Sequence, residues 1–124
     1  THHVLAAGLG AAAAADDWLL AHGRSCALFV ALKENPEIIY KDHNEEKVEK
    51  VLLAYLQSDK TPIVCNGIRG IGYLMRYLLM NDRPIPPQIL SQFARSMNHS
   101  SNEVKQLMAR AAGMVALEAP VVAK

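Results

Sequence analysis

The stretch Thr61–Met80, TPIVCNGIRGIGYLMRYLLM, leaves the fewest options for what surrounds it. It reads as a helix. Thr61 is placed to cap it, and Pro62 suits the first helical position, where its missing N–H removes no helical hydrogen bond. Ile63, Gly67, Gly70, Ile71, Leu74 and Leu78 recur at helical spacing along one face, and Val64, Ile68, Met75 and Leu79 widen that face over most of the circumference. A helix this apolar has to be covered on nearly every side. What is left is a narrow polar stripe of Asn66, Arg69, Tyr73 and Arg76. Gly67, Gly70 and Gly72 each cost about 1 kcal/mol relative to alanine inside a helix, so neighbouring helices are expected to approach closely enough to offset that.

The chain's 124 residues fit one domain that buries a core without disulfides or metal. Cys26 and Cys65 both lie in apolar helical patterns, which points to reduced thiols in a cytosolic or nuclear protein. A net charge of +1 with 20% charged residues gives no broad basic surface for nucleic acid or an acidic membrane, and leaves room only for a local patch. No signal-peptide pattern and no run of membrane-spanning length occurs, and the start at Thr1 reads as a segment of something longer. His2 and His3 fall short of the three or four convergent ligands that a metal site needs, so neither metal nor cofactor is expected.

The rest of the chain supplies the helices that cover the central one. Val4–Ala14 is an alanine- and leucine-rich helix interrupted by Gly8 and Gly10. Asp16 and Asp17 separate it from a second helix ending near Glu34, with Trp18, His22, Ser25, Cys26, Phe29 and Leu32 along one side. Glu37–His43 is a packed connector. Asn44 is the expected N-cap of an amphipathic helix over 45–57, whose inner stripe is Val48, Val51, Leu52, Tyr55 and Leu56. Beyond the proline-marked break at 81–87, Gln88–Met97 is a helix with Ile89, Leu90, Phe93 and Met97 inward. Ser100-Ser101-Asn102 caps a sixth helix, which Pro120 ends.

These helices fall into pairs, approximately 1–36, 37–82 and 83–120. Arg24, Arg69 and Arg110 recur at intervals of 45 and 41 residues, within the span of HEAT and armadillo units. The register also aligns Trp18, Ile63 and Val104, and Ala27, Gly72 and Gly113. The expectation is an all-α fold, a short HEAT/armadillo-like solenoid of three helix pairs with the Thr61–Met80 helix in the middle. Asp17 and Glu103 lie two turns before Arg24 and Arg110, so ladder-type ion pairs are the plainest use of those two arginines. Pro62 stands at the matching position before Arg69, which leaves Arg69 as the arginine for a partner.

Catalytic patterns are weak. His22 and Ser25 sit one turn apart with no third group to orient them, a spacing better explained by packing and local hydrogen bonding. Gly67-Ile-Arg-Gly-Ile-Gly has the wrong spacing for either nucleotide fingerprint and lies inside a helix. The chain is not expected to be an enzyme.

Taken together, Asp17-Trp18 with His22-Gly23-Arg24-Ser25, and Pro62-Ile63 with Gly67-Ile68-Arg69-Gly70-Ile71-Gly72-Tyr73-Leu74-Met75-Arg76, resemble the C-terminal HEAT-repeat region of the large translational activators of general amino-acid control. The similarity runs from about Trp18 through Pro87 to Ser101. It implies a non-enzymatic, cytoplasmic segment of a ribosome-associated scaffold that promotes activation of the initiation factor 2 alpha kinase. The implied partner is the RWD domain of that kinase or of related proteins. Helices lining one concave surface would then present Arg24, Asn66, Arg69, Tyr73, Arg76 and Arg110 for binding. Two other readings use the same residues, a purely structural spacer and a ribosome or RNA contact through the arginines.

Overall fold

The structure, a computed structural model, describes residues 2–40 and 44–123, with side chains from Trp18 to Leu117 apart from Ile38 and 41–43. It is built from α1 (His2–Glu34), α2 (Pro36–Tyr40), α3 (Glu45–Leu56), α4 (Thr61–Met80), α5 (Pro87–Arg95), a single 3-10 turn (Ser96–Asn98) and α6 (Asn102–Ala123). No strand occurs among the described residues. Helix α4 lies between α1 and α6, while α3 and α5 pack across it as a second layer.

The central helix is as buried as its composition demands. Ile68, Ile71 and Leu74 are wholly buried, and Ile63, Val64, Cys65, Met75 and Leu78 nearly so. Each such side chain contributes about 1.5–3 kcal/mol of transfer free energy, so this one helix carries much of the fold's driving force. Leu32 of α1, Leu52 of α3, Ile89 and Phe93 of α5, and Val104 and Met108 of α6 complete the core.

The three glycines are contact points. A Cβ on Gly70 would lie 2.7 Å from Leu52 Cδ2, one on Gly67 3.0 Å from Tyr55 Cβ, and one on Gly72 3.1 Å from Met114 Cε. Gly67 and Gly70 thus admit α3, and Gly72 admits α6. The expected recurrence of close packing at Ala27 and Gly113 is not found. Both are exposed, and Gly113 has nothing within 4 Å, because among the described helices only α4 is flanked on both sides. Different neighbours give the glycines different outcomes on substitution. Gly72→Ala should raise stability by up to about 1 kcal/mol, since only the flexible end of Met114 must yield. Gly67→Ala should lower it by about 1–3 kcal/mol, because Tyr55 Cβ is fixed to the α3 backbone. Denaturant unfolding of the two variants reads the opposite signs directly.

Several local expectations are corrected. The first helix is one element of 33 residues, undivided at Asp16-Asp17, so the first expected pair is a single long helix. Aspartate inside a helix costs only a few tenths of a kcal/mol, too little to stop an alanine-rich run. The connector contains the five-residue helix α2, with Tyr40 buried. Asn44 already has helical backbone and its side chain caps nothing, while its carbonyl accepts from the Val48 N–H at 2.9 Å. Thr61 is the first helical residue and no cap. Lys60, in extended backbone, precedes it and accepts from the Ile63 and Val64 N–H groups at 3.0 and 3.1 Å. Leu90 and Met97, expected inward, are 51% and 52% exposed: α5 buries Ile89 and Phe93 and leaves Leu90 outward, while Met97 falls in the 3-10 turn that follows Arg95. Ser101 does cap α6, its Oγ accepting from Val104 N–H at 3.4 Å. The backbone of α6 continues past Pro120 to Ala123, at the loss of one helical hydrogen bond. The expectations on His2, His3 and Asp17 concern side chains outside the described residues.

Helix α4 ends in a Schellman arrangement with aspartate where glycine is usual. Arg83 N–H bonds to Leu78 O at 2.8 Å and Asp82 N–H to Leu79 O at 3.3 Å, with Asp82 in the left-handed region at φ 53°. This turn aims Arg83 back at α2 and α3. Its guanidinium donates to Glu45 Oε1 at 2.6 Å and lies 5.1 Å from the centre of the Tyr40 ring, which in turn meets Tyr77 edge-on at 6.2 Å. The carboxyl of Glu49 is raised above its usual range by burial and by Glu45 and Glu46, against the opposing influence of Arg83 and Tyr40. Burial, reinforced by Glu49 and Glu45, pushes the Tyr40 hydroxyl up to about 12. The unfolded chain ionises this phenol near pH 10, so between pH 10 and 12 the unfolded state binds fewer protons and stability falls by about 2 kcal/mol. Tyr40→Phe should flatten that alkaline decline, as followed by unfolding at a series of pH values.

Candidate interaction surface

From Arg69 to Arg76 the polar stripe of α4 lies along the side of the helix that α1 and α6 flank without covering. Between α4 and α6 is a groove of about 200 Å³ lined by Arg69, Tyr73, Leu107, Arg110, Ala111 and Met114. Between α4 and the end of α1 is another of about 260 Å³, with Leu32, Lys33, Tyr73, Arg76 and Met80 among its walls. Tyr73, half-buried, belongs to both and forms the ridge that separates them.

Of the residues expected at the surface, the structure brings Arg69, Tyr73 and Arg110 to one groove and Tyr73 and Arg76 to the other. Arg24 is exposed but lines neither; its charge reaches Tyr55 of α3, opposing the rise that burial imposes on that phenol. Asn66 is not on the surface at all, being 3% exposed. Its amide Nδ2 donates to Ser25 Oγ at 2.9 Å and meets Cys26 Sγ at 3.2 Å, and its Oδ1 accepts from Arg69 Nη1 at 2.9 Å. Ser25 Oγ donates to the His22 carbonyl at 2.7 Å, so the His22–Ser25 spacing is a local hydrogen bond.

Asn66 therefore acts on Arg69 from below. The guanidinium is held by Oδ1 on one side and lies 5.6 Å from the centre of the Phe29 ring on α1. Using one of five donors inward leaves the rest of the fork facing outward with its orientation already fixed. Trp18 supports this from further along α1: it stacks on His22 at 5.8 Å and carries Lys60 Nζ 5.9 Å from its ring centre. Those contacts tie α1 to the start of α4.

The expected ladder from Glu103 to Arg110 does not form among the described ion pairs. Seven residues separate the two by about 10 Å along the helix, and Glu103 instead acts on Cys65. Burial raises the Cys65 thiol, Glu103 adds to that and Arg69 opposes it; both cysteines are free. Leu107, Ala111 and Met114, which floor the first groove, were not singled out from sequence, although their spacing of four and three residues marks one face of α6. Lys33 and Met80 carry no comparable signal, because they meet only where two helices end.

On the opposite layer a wider groove of about 570 Å³ runs between α3 and α5, lined by Lys50, Leu53, Gln57, Gln92 and Arg95 among others. It has no aromatic wall. A hydrogen bond between Gln57 and Gln92 at 3.1 Å crosses it, and Lys50 is paired with Glu46 at 3.2 Å. Among the described residues no group of three His, Cys, Asp or Glu side chains is placed to hold a metal ion, and no helix is long and apolar enough to cross a membrane.

A family model described as stalled ribosome sensor GCN1-like, HEAT repeats, matches residues 1–122. Over 90 residues the chain is 30% identical to the stalled ribosome sensor GCN1 of Mus musculus and, to the same extent, to that of Homo sapiens. The aligned part is 72% of this chain and 3% of each relative, so the chain corresponds to a small part of their length. No solved structure matches it significantly. With nearly its whole length matched by the family model, the chain belongs to the GCN1-like HEAT-repeat family.

Proposed function

We propose that the chain is a non-catalytic protein-interaction segment of a ribosome-associated scaffold, and that its interaction surface is the face of α4 between α1 and α6. The observation that carries this is the groove in which Arg69, already fixed by Asn66 and Phe29, stands beside Tyr73 and Arg110 over an apolar floor. Tyrosine and arginine at the centre of a partly desolvated groove are the residue types that dominate interface energies. The mouse and human relatives are named stalled ribosome sensors, and the segment would serve such a sensor by holding a partner.

The helices form part of a longer solenoid: Ile63, Gly67 and Gly70 of α4 and Val104, Met108 and Ala111 of α6 are buried at a constant offset of 41 residues. The partner is the RWD domain of the initiation factor 2 alpha kinase or of a related protein, met in the cytoplasm, and this contact promotes kinase activation. Calorimetric titration of the chain with that RWD domain tests the contact. Tyr73→Ala and Arg110→Glu should each weaken binding by about tenfold or more, equivalent to 1.4 kcal/mol. Unchanged affinity in both would defeat it.

One observation favours a second reading, a spacer that stiffens the scaffold. Leu19, Leu20 and Val30 on α1 and Leu117 on α6 are exposed at 61%, 50%, 46% and 77%, which suits faces covered by adjoining repeats. Under that reading, removing the segment from the full-length protein lowers its thermal stability and leaves its affinity for the RWD domain intact.

A further inference from the structure

The two grooves beside Tyr73 share a charge pattern that the chain as a whole lacks. Basic and acidic residues are almost balanced over the sequence, at 13 and 12. Yet the described residues lining the grooves include Arg69, Arg110, Lys33 and Arg76 and no acid. Between these cations the walls are apolar, Leu107 and Met114 on one side of the tyrosine and Leu32 and Met80 on the other.

We infer that this double groove binds an extended protein segment in which acidic residues alternate with large apolar ones, seated across Tyr73 with one apolar side chain in each groove. The inference rests on the reading of this face as an interaction surface and names the chemistry of what it takes. Size supports a segment over a small molecule, since volumes of about 200 and 260 Å³ lie below the ~300 Å³ at which ligand pockets begin, yet suit single side chains. Length agrees. From Arg69 to Met80 the helix advances about 16 Å, which an extended chain covers in about five residues. The apolar walls distinguish the occupant from RNA, whose backbone would use the cations and leave Leu107, Met114 and Met80 without a partner. Carboxylates on the segment meet cations at both ends, and Arg69, its orientation fixed from below, offers the fork that fits a carboxylate.

Random dodecapeptides displayed on phage and selected on the whole 124-residue chain provide the probes. The enriched peptides should carry an excess of Asp and Glu interleaved with Leu, Phe or Met. A synthetic copy of the best one should lose at least tenfold in affinity to Arg110→Glu, lose again to Lys33→Glu, and weaken as salt is raised. Both substituted side chains are exposed, so the variants fold as the parent does, which circular dichroism checks. Peptides enriched without acidic residues, peptides that bind Arg110→Glu as tightly as the parent, or an oligouridylate that binds the parent chain tighter than any selected peptide would each overturn the inference. RWD binding that is sensitive to Tyr73→Ala while no acidic peptide is selected would overturn the acidic-segment inference and leave the interaction-surface reading standing. Loss of both would end both.

Discussion

Replacing Leu74 by alanine should lower the unfolding free energy by about 2–5 kcal/mol, whereas the same change at Leu90 should stay within about 0.5 kcal/mol. Leu74 is wholly buried in α4, the helix against which α1, α3 and α6 all pack, so the truncation leaves a cavity that its close-packed surroundings close only in part. Leu90 is 51% exposed on the first turn of α5 and exchanges one wet surface for another. A domain of this size is stable by only about 5–15 kcal/mol, so the first change removes a large share of the total and lowers the midpoint of melting by on the order of 10 °C. Urea unfolding of both variants, fitted with a common slope, checks the pair. A large loss at Leu90 would mean that α5 is rotated away from the face that buries Ile89 and Phe93.

The contrast between those two leucines also shows what could be read without coordinates. Period and composition are enough for α4, because a helix apolar over most of its circumference has one fate whatever its neighbours do. They are enough for α3 too, where Val48, Leu52 and Leu56 recur on one face and are buried. Leu90 fails because α5 buries only the Ile89 and Phe93 edge of its apolar stripe, and Met97 because the helix gives way to a 3-10 turn after nine residues. The long α1 fails differently: two aspartates look like punctuation, but each costs only a few tenths of a kcal/mol inside a helix, too little to divide a run of 33 residues. Of the residues that line the groove between α4 and α6, Arg69 and Arg110 were legible from the repeat register and Tyr73 from the polar stripe. Lys33 and Met80 were not, and neither, away from the grooves, was the clasp of Arg83 on Tyr40 and Glu45, since all of these depend on where helix ends meet.

Asn66 is where register and packing diverge most, and its substitution tests what the residue is for. Sequence spacing puts it on the same stripe as Arg69 and Tyr73, but burial takes its amide inward, where it bridges Ser25 and Cys26 of α1 to Arg69. Asn66→Ala removes the acceptor that orients Arg69 and opens a small void beside α1, which should cost about 1–3 kcal/mol of stability. It should also weaken partner binding, although Asn66 lines neither groove. Asn66→Asp separates the two effects. The carboxylate keeps an acceptor for Arg69 and adds a charge, so binding should be preserved. It gives up both donations to α1 and buries a charge that, among the described residues, Arg69 alone is placed to compensate, so stability should fall about as far as in the alanine variant. Measuring denaturant midpoints and RWD affinity on both proteins settles the matter: if the two lose affinity equally, Asn66 contributes only to packing, and the orientation of Arg69 is not what the surface depends on.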